Sequence, residues 1–130
     1  MTPDDGHGPV VGFVGGGQLA RMCALAAAPL GVRVAVLAGP ADEGAAEVVP
    51  TVVPGRADDP DALRAFAAGV DVLTIDHENV DHATFAELEA VGVAVRPGVR
   101  TLEFSDKAYQ RRAFAAAGLP VPEFEVVDAA

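Results

Sequence analysis

Tryptophan is absent from this 130-residue chain, and six phenylalanines with one tyrosine hold the aromatic fraction to 5%. Since 51% of the residues are nonetheless hydrophobic, a core must be assembled from Val, Leu and Ala layers, which suits helices laid on a parallel sheet. Cys23 is the only cysteine, so no internal disulfide can form. Basic residues are scarce: nine Lys and Arg face nineteen Asp and Glu, a formal net charge of -10 that repels a phosphate backbone and argues against nucleic acid as a partner. No apolar run approaches the ~20 residues that span a bilayer, and Met1 to Pro9 lacks the basic start and apolar centre of a signal peptide. The expectation is a cytoplasmic protein with no membrane partner. The length suits one α/β domain and is too short for a catalytic domain plus a cofactor domain.

What is present alternates between strand and helix signals. After a polar, Gly/Pro-rich leader over residues 1–9, expected to be disordered, Val10 to Val14 is a short apolar run ending in Gly15-Gly16-Gly17. Gln18 to Pro29 follows as a helix, with Leu19, Met22, Cys23, Ala26 and Ala27 at helical spacing. Val32 to Leu37 then gives a second β-branched strand. Val48, Val49, Val52 and Val53 suggest a third strand interrupted by Pro50. Asp58-Asp59-Pro60 reads as a helix entry before Leu63, Phe66 and Ala67. Asp71 to Ile75 reads as the next strand, with Val70, Val72, Leu73 and Ile75 supplying the near-continuous apolar run of a strand covered on both faces. A helix around Ala83 to Val91, a strand Val93 to Val95 and a helical region from Leu102 to Ala117, broken near Ser105-Asp106, complete the pattern, and Phe124 to Val127 reads as one more strand. The predicted fold class is α/β: a Rossmann-like three-layer domain with a mostly parallel sheet over residues 10–118.

Gly15-Gly16-Gly17-Gln18-Leu19-Ala20 fits G-x-G-x-x-[G/A] between a strand and a helix. Glycines allow a tight turn and close ligand approach, and the amides at the helix start attract anions; plain strand-to-helix packing is the alternative. An NAD domain places an acid at the end of the second strand, about 20 residues on, to hold ribose hydroxyls. Leu37-Ala38-Gly39 stands there instead, with Asp42 and Glu43 beyond Pro40, which weakens a dinucleotide reading. Asp76, His77 and Glu78 lie where a buried strand emerges, at the sheet edge where α/β folds gather ligands. Glu78 is read as a ligand contact and His77 as a solvated loop residue, with Asp76 or Glu78 alternatively capping the next helix. Arg21 either reaches an anion or is a solvated helix arginine. His7, His77 and His82 lack metal-ligand spacing, and Cys23 is expected to be a small buried hydrophobe, so no metal site is expected.

These residues carry a resemblance. Gly15 to Met22 resembles the GGGQLGRM opening of the 5-(carboxyamino)imidazole ribonucleotide synthase family of ATP-grasp ligases, and Ala28-Pro29-Leu30-Gly31 its A-P-L-G helix ending. Thr74 to Val80 resembles its T-[YF]-E-x-E-[NH]-V strand end, Arg96-Pro97 its R-P-x turn, and Ser105-Asp106-Lys107 its [QS]-D-[RK] element. Ala117 to Pro122 resembles its exit into the ATP-grasp domain. Three positions depart: Ala20 for the usual third glycine, Ala38 for a frequent Asp, and Asp76 for a usual Glu.

The resemblance implies an N-terminal pre-ATP-grasp domain, with residues 119–130 as linker and start of a missing ATP-grasp domain. It implies aminoimidazole ribonucleotide bound by Gly16, Gly17, Gln18, Leu19, Asp76, Glu78 and Asn79, and ATP contacted by Lys107. The implied reaction activates bicarbonate with ATP and Mg²⁺ as carboxyphosphate, whose carboxyl group the exocyclic amine captures in purine synthesis. The Mg²⁺ ligands and catalytic groups would lie in the missing domains, so this chain alone is expected to be inactive. A homodimer is a further implied arrangement. A freestanding nucleotide- or NAD(P)-binding module is the rival reading, and a domain serving mainly as a dimerisation surface is the third.

Overall fold

The computed structural model describes residues 8–39 and 44–127. Four parallel strands form one sheet: β1 (Val10–Val14), β2 (Arg33–Ala38), β3 (Thr51–Pro54) and β4 (Val72–Ile75), in the order β3-β2-β1-β4. β1 is therefore central, pairing Val14 with Leu37 on one side and with Ile75 on the other. Because β2 and β3 run outward one way and β4 lies on the other side, the chain order reverses at β1, and the crevice outside the β1 and β4 carboxyl ends is the switch point.

Alternation along the strands sorts the core into two layers. Phe13, Val34, Val36 and Ala38 face α1 (Gln18–Ala27), while Val14, Ala35, Leu37 and Leu73 face α2 (Pro60–Ala67) and α3 (His82–Ala90). Leu63, Leu73 and Phe85 are fully buried in the second layer, each contributing roughly 1.5–3 kcal/mol of burial free energy. The expected three-layer α/β architecture is present.

Several expectations are corrected. The helix after β1 does not bury Leu19, Met22 and Cys23: Leu19, Met22 and Leu25 are 57–61% exposed, Cys23 is exposed too, and the covered face carries Ala20, Ala24 and Ala27. Small side chains let this helix lie close on the sheet, so its large apolar residues point outward. The third strand begins only at Thr51, because Gly44–Glu47 forms a 3-10 turn whose Ala45 plugs the first layer. Val93 to Val95 contributes one bridge, Leu73 to Val95, rather than a strand, and residues 124–127 hold no regular structure. Of the leader, residues 1–7 lie outside the described residues. Gly8 and Pro9 are tied down, their carbonyls accepting hydrogen bonds from the Arg33 side chain and backbone, both at 2.9 Å.

Helix starts are set by aspartates. Asp59 accepts from the amides of Asp61 and Ala62 at the start of α2, with Pro60 at the first helical position where its missing N–H costs nothing. Asp81 caps α3 by accepting from Thr84 N at 2.8 Å, so neither Asp76 nor Glu78 caps that helix. Replacing Asp59 by Ala is expected to cost about 1 kcal/mol in urea unfolding, and Asp59→Asn to retain most of it. Hydrogen bonds from Thr84 hold the Asp81 carboxyl below its ordinary value of 3.8. A carboxyl depressed in the folded state contributes stability at neutral pH that is lost as pH falls through its folded value. Thermal unfolding between pH 5 and 3 should accordingly show a shallower acid loss for Asp81→Asn than for the parent.

After α3 the chain runs through α4 (Val99–Leu102) and a 3-10 turn at Glu103–Ser105 into α5 (Lys107–Ala116), which Asp106 caps through Tyr109 N at 2.7 Å. No residue of α5 is buried. It leans on the preceding turn through Phe104, whose ring meets Tyr109 edge-on at 5.2 Å and Phe114 at 5.8 Å.

Candidate functional site

The glycine turn and the acidic end of β4 meet at the switch point. Gly15 has φ +94°, a left-handed conformation that favours glycine, and a Cβ there would come within 3.1 Å of Asp76 and His77. The next two residues lead into α1 without a side chain able to cap it, Gly17 being the N-cap. Asp76 supplies the cap from across the sheet: its carboxylate accepts from Gly17 N at 2.9 Å and Ala20 N at 2.6 Å. These are the two amides that a capping box satisfies within one chain segment, here served by a residue 59 positions away. The negative charge also sits at the positive end of the helix.

This arrangement revises the sequence reading of the turn. The amides of Gly17 and Ala20 already hold an anion, the protein's own, and Asp76 acts on the turn's shape. Asp in place of the usual Glu is long enough for that task. Gln18 and Leu19 are exposed at the first turn of α1, and Gly16 accepts at its carbonyl from Ala45 N at 2.7 Å. Arg21 is neither a free anion-binding group nor a solvated one: its guanidinium pairs with Glu47 and donates to Gly44 O at 3.1 Å, bracing the loop beneath the turn.

Beyond Asp76 the loop turns sharply. Glu78 and Asn79 are exposed, with the Glu78 carbonyl accepting from Val80 N at 2.9 Å and facing the His82 ring at 3.3 Å. His77 is not a solvated loop residue. Its ring lies against Gly15, and its Nδ1 is buried without a hydrogen-bond partner. A cavity of about 330 Å³ opens here on the α2 side of the sheet edge, walled by Gly15, Gly39, Arg56, Asp58, His77 and Asn79. Asn79 and the glycine turn are thus brought to one site. Lys107 is not: it stands exposed at the start of α5 and lines neither this cavity nor the groove of about 850 Å³ beside α5. Asp42 and Glu43 lie outside the described residues.

The sequence reading did not name Arg56, took Asp58 for a helix-entry residue and set His77 aside as a loop residue, yet all three line the cavity. Asp58 comes from the segment after β3, yet it shares the cavity with Leu37 and Gly39, where the expected acid of the second strand is lacking. Arg56 holds it in a two-pronged ion pair, Nε to Oδ1 at 2.8 Å and Nη2 to Oδ2 at 2.7 Å. That guanidinium holds the Asp58 carboxyl below the ordinary carboxylate range. Among the described residues no three His, Cys, Asp or Glu side chains gather to hold a metal ion, and no helix is long and apolar enough to cross a membrane.

A parallel sheet wound both ways from β1, with a glycine turn and an acidic strand end at the reversal, defines a Rossmann-like α/β domain. More particularly, the chain belongs to the ribonucleotide synthetase preATP-grasp domain family, whose model matches residues 9–106. It is 49% identical over 117 residues to N5-carboxyaminoimidazole ribonucleotide synthase of Mycobacterium tuberculosis, an alignment covering 89% of this chain and 27% of that protein. The N5-carboxyaminoimidazole ribonucleotide synthetase structure from Thermotoga maritima superposes with a TM-score of 0.82 at 32% identity, over 93% of this chain and 34% of that one. The Aspergillus clavatus N5-carboxyaminoimidazole synthase, solved with ADP and 5-aminoimidazole ribonucleotide, gives 0.80 at 29% identity, over 90% and 31%. The chain therefore spans about a third or less of the length of these relatives.

Proposed function

We propose that the chain is the ribonucleotide-binding N-terminal part of an ATP-dependent ligase that carboxylates 5-aminoimidazole ribonucleotide with bicarbonate in purine biosynthesis. The observation that carries this reading is the joint at the switch point, where Asp76 clamps the glycine turn, Asn79 and Gly15 line one cavity, and Glu78 and Asn79 stand exposed just beyond. A polar ribonucleotide can be held there by backbone groups, a carboxylate and a carboxamide. The names of the mycobacterial and Thermotoga relatives and the ligands of the Aspergillus complex agree with it.

In this reading Asp76 shapes the turn, Glu78 and Asn79 contact the ribonucleotide, and Lys107 approaches ATP from the amino-terminal side. Apart from that contact, ATP, its Mg²⁺ and the bicarbonate are handled by the part of the enzyme that this chain does not span. Residues 119–130 are the exit towards that part. Phosphoryl transfer then depends on groups elsewhere, and the chain alone binds without turning over.

Glu78→Ala should weaken binding of 5-aminoimidazole ribonucleotide by tenfold or more, the order expected for one charge-assisted hydrogen bond. Calorimetry with the 130-residue chain measures this, and unchanged affinity would remove Glu78 from the site. In the longer enzyme, Lys107→Ala should weaken ATP while sparing the ribonucleotide, and an unchanged ATP affinity would count against its assignment.

A further inference from the structure

The outward side of α1 has no part in holding the glycine turn. Leu19, Met22 and Leu25 are 57–61% exposed, Leu30 just past the helix is 76% exposed, and Cys23, Ala26 and Pro29 lie open among them. Single apolar side chains on a surface are ordinary, whereas a contiguous face of them along a whole helix marks an interaction site. Leu19, Met22 and Ala26 follow at steps of three and four residues, which aligns them in one stripe.

Two observations select what covers this face. The first is charge. Between Gln18 and Val32 the one charged residue is Arg21, and its guanidinium is engaged by Glu47 and the Gly44 carbonyl. The whole chain carries a net charge of -10, so two copies repel wherever their acidic surfaces approach, and an uncharged helix is where they meet without that repulsion. The second is position. Beyond α3 the polypeptide runs over the opposite side of the sheet, where Leu102 of α4 is buried in one cluster with Leu63, Leu73 and Phe85. The path through α4 therefore leaves the α1 face uncovered.

We propose that the outward face of α1 is an interface with a second copy of this chain, the two helices packing antiparallel about a two-fold axis. The stripe sets the register. An axis crossing the helix at Ala24 exchanges position 22 with 26 and 19 with 29, so Met22 seats against the partner's Ala26 and Leu19 against the partner's Pro29. Each large side chain then meets a small or flat one, and the helix dipoles oppose. The pairing does not depend on which ligand the sheet edge binds.

Sedimentation equilibrium of the 130-residue chain tests this, taken up to ~1 mM because a small interface gives weak dimers. The mass should rise from 13.2 kDa towards twice that value. Met22→Glu and Ala26→Lys should each weaken association about a hundredfold, since the two-fold axis counts every substitution twice and each buried unpaired charge costs about tenfold. An equimolar mixture of the two variants should associate again, because antiparallel pairing sets the new carboxylate of one chain against the new ammonium of the other. Misfolded variants could not recover in this way, and circular dichroism checks each alone. A parent that stays at 13.2 kDa, dimers that Met22→Glu leaves intact, or variants that stay apart on mixing overturn the interface. A longer enzyme in which Met22→Glu lowers the unfolding temperature without changing the mass would show the face covered from within one polypeptide, which overturns it equally.

Discussion

Asp76→Ala should destabilise the folded chain by about 3 kcal/mol, a large fraction of the ~5–15 kcal/mol available to a domain. Among the described residues the carboxylate is the side-chain cap of α1, since Gly17 brings none, and it satisfies two part-buried amides at 2.9 and 2.6 Å. Its removal leaves the Gly17 and Ala20 amides without an acceptor and withdraws a negative charge from the helix start. Asp76→Asn, which keeps one acceptor oxygen and loses the charge, should fall between the two. Urea unfolding measures the series, and an Asp76→Ala variant within 0.5 kcal/mol of the parent would show that water replaces the carboxylate at no cost.

The second large effect concerns Gly17. Its backbone, φ -77° and ψ -159°, is extended and open to any residue, so conformation does not require glycine there. Elsewhere an alanine at such a position would stabilise by about 0.4–1 kcal/mol through the unfolded chain. Here the added Cβ would come closer than 3.0 Å to Asp76 Oδ2. Gly17→Ala should therefore cost about 2 kcal/mol by forcing the carboxylate off the turn. In an Asp76→Ala background the obstruction is gone and the same substitution should be neutral or stabilising. The double-mutant cycle reads this coupling of roughly 2 kcal/mol directly, and additive effects would contradict the account of the joint.

Local patterns carried much of the fold into the sequence. The β1-turn-α1-β2 unit, the Asp59-Pro60 helix start, the apolar β4 run and the break at Ser105-Asp106 each rest on neighbours within a few residues, and each is present in the structure. What failed depended on which side of an element is covered. The helix after β1 is apolar nearly all round, so spacing could not separate the Ala20-Ala24-Ala27 face that packs from the Leu19-Met22 side that does not. At the site, the glycine turn and the β4 acids were both legible, but their connection was not. Asp76 reaches Gly17 across 59 positions because β1 and β4 are neighbours in the sheet, an adjacency no local signal states. The meeting of Asp58 and His77 at one cavity was hidden for the same reason. One looked like a helix-entry residue and the other like a loop residue until four strand ends were brought to one edge.

We propose recognition of 5-aminoimidazole ribonucleotide at this sheet edge. Its most direct test is calorimetric titration of the 130-residue chain with 5-aminoimidazole ribonucleotide, ATP with Mg²⁺, and NAD(P) in parallel, repeated with Glu78→Ala. Recognition at this edge should appear as saturable binding of the ribonucleotide that Glu78→Ala weakens about tenfold or more. Saturable binding of NAD(P) with none of the ribonucleotide would contradict it and make the chain a dinucleotide module.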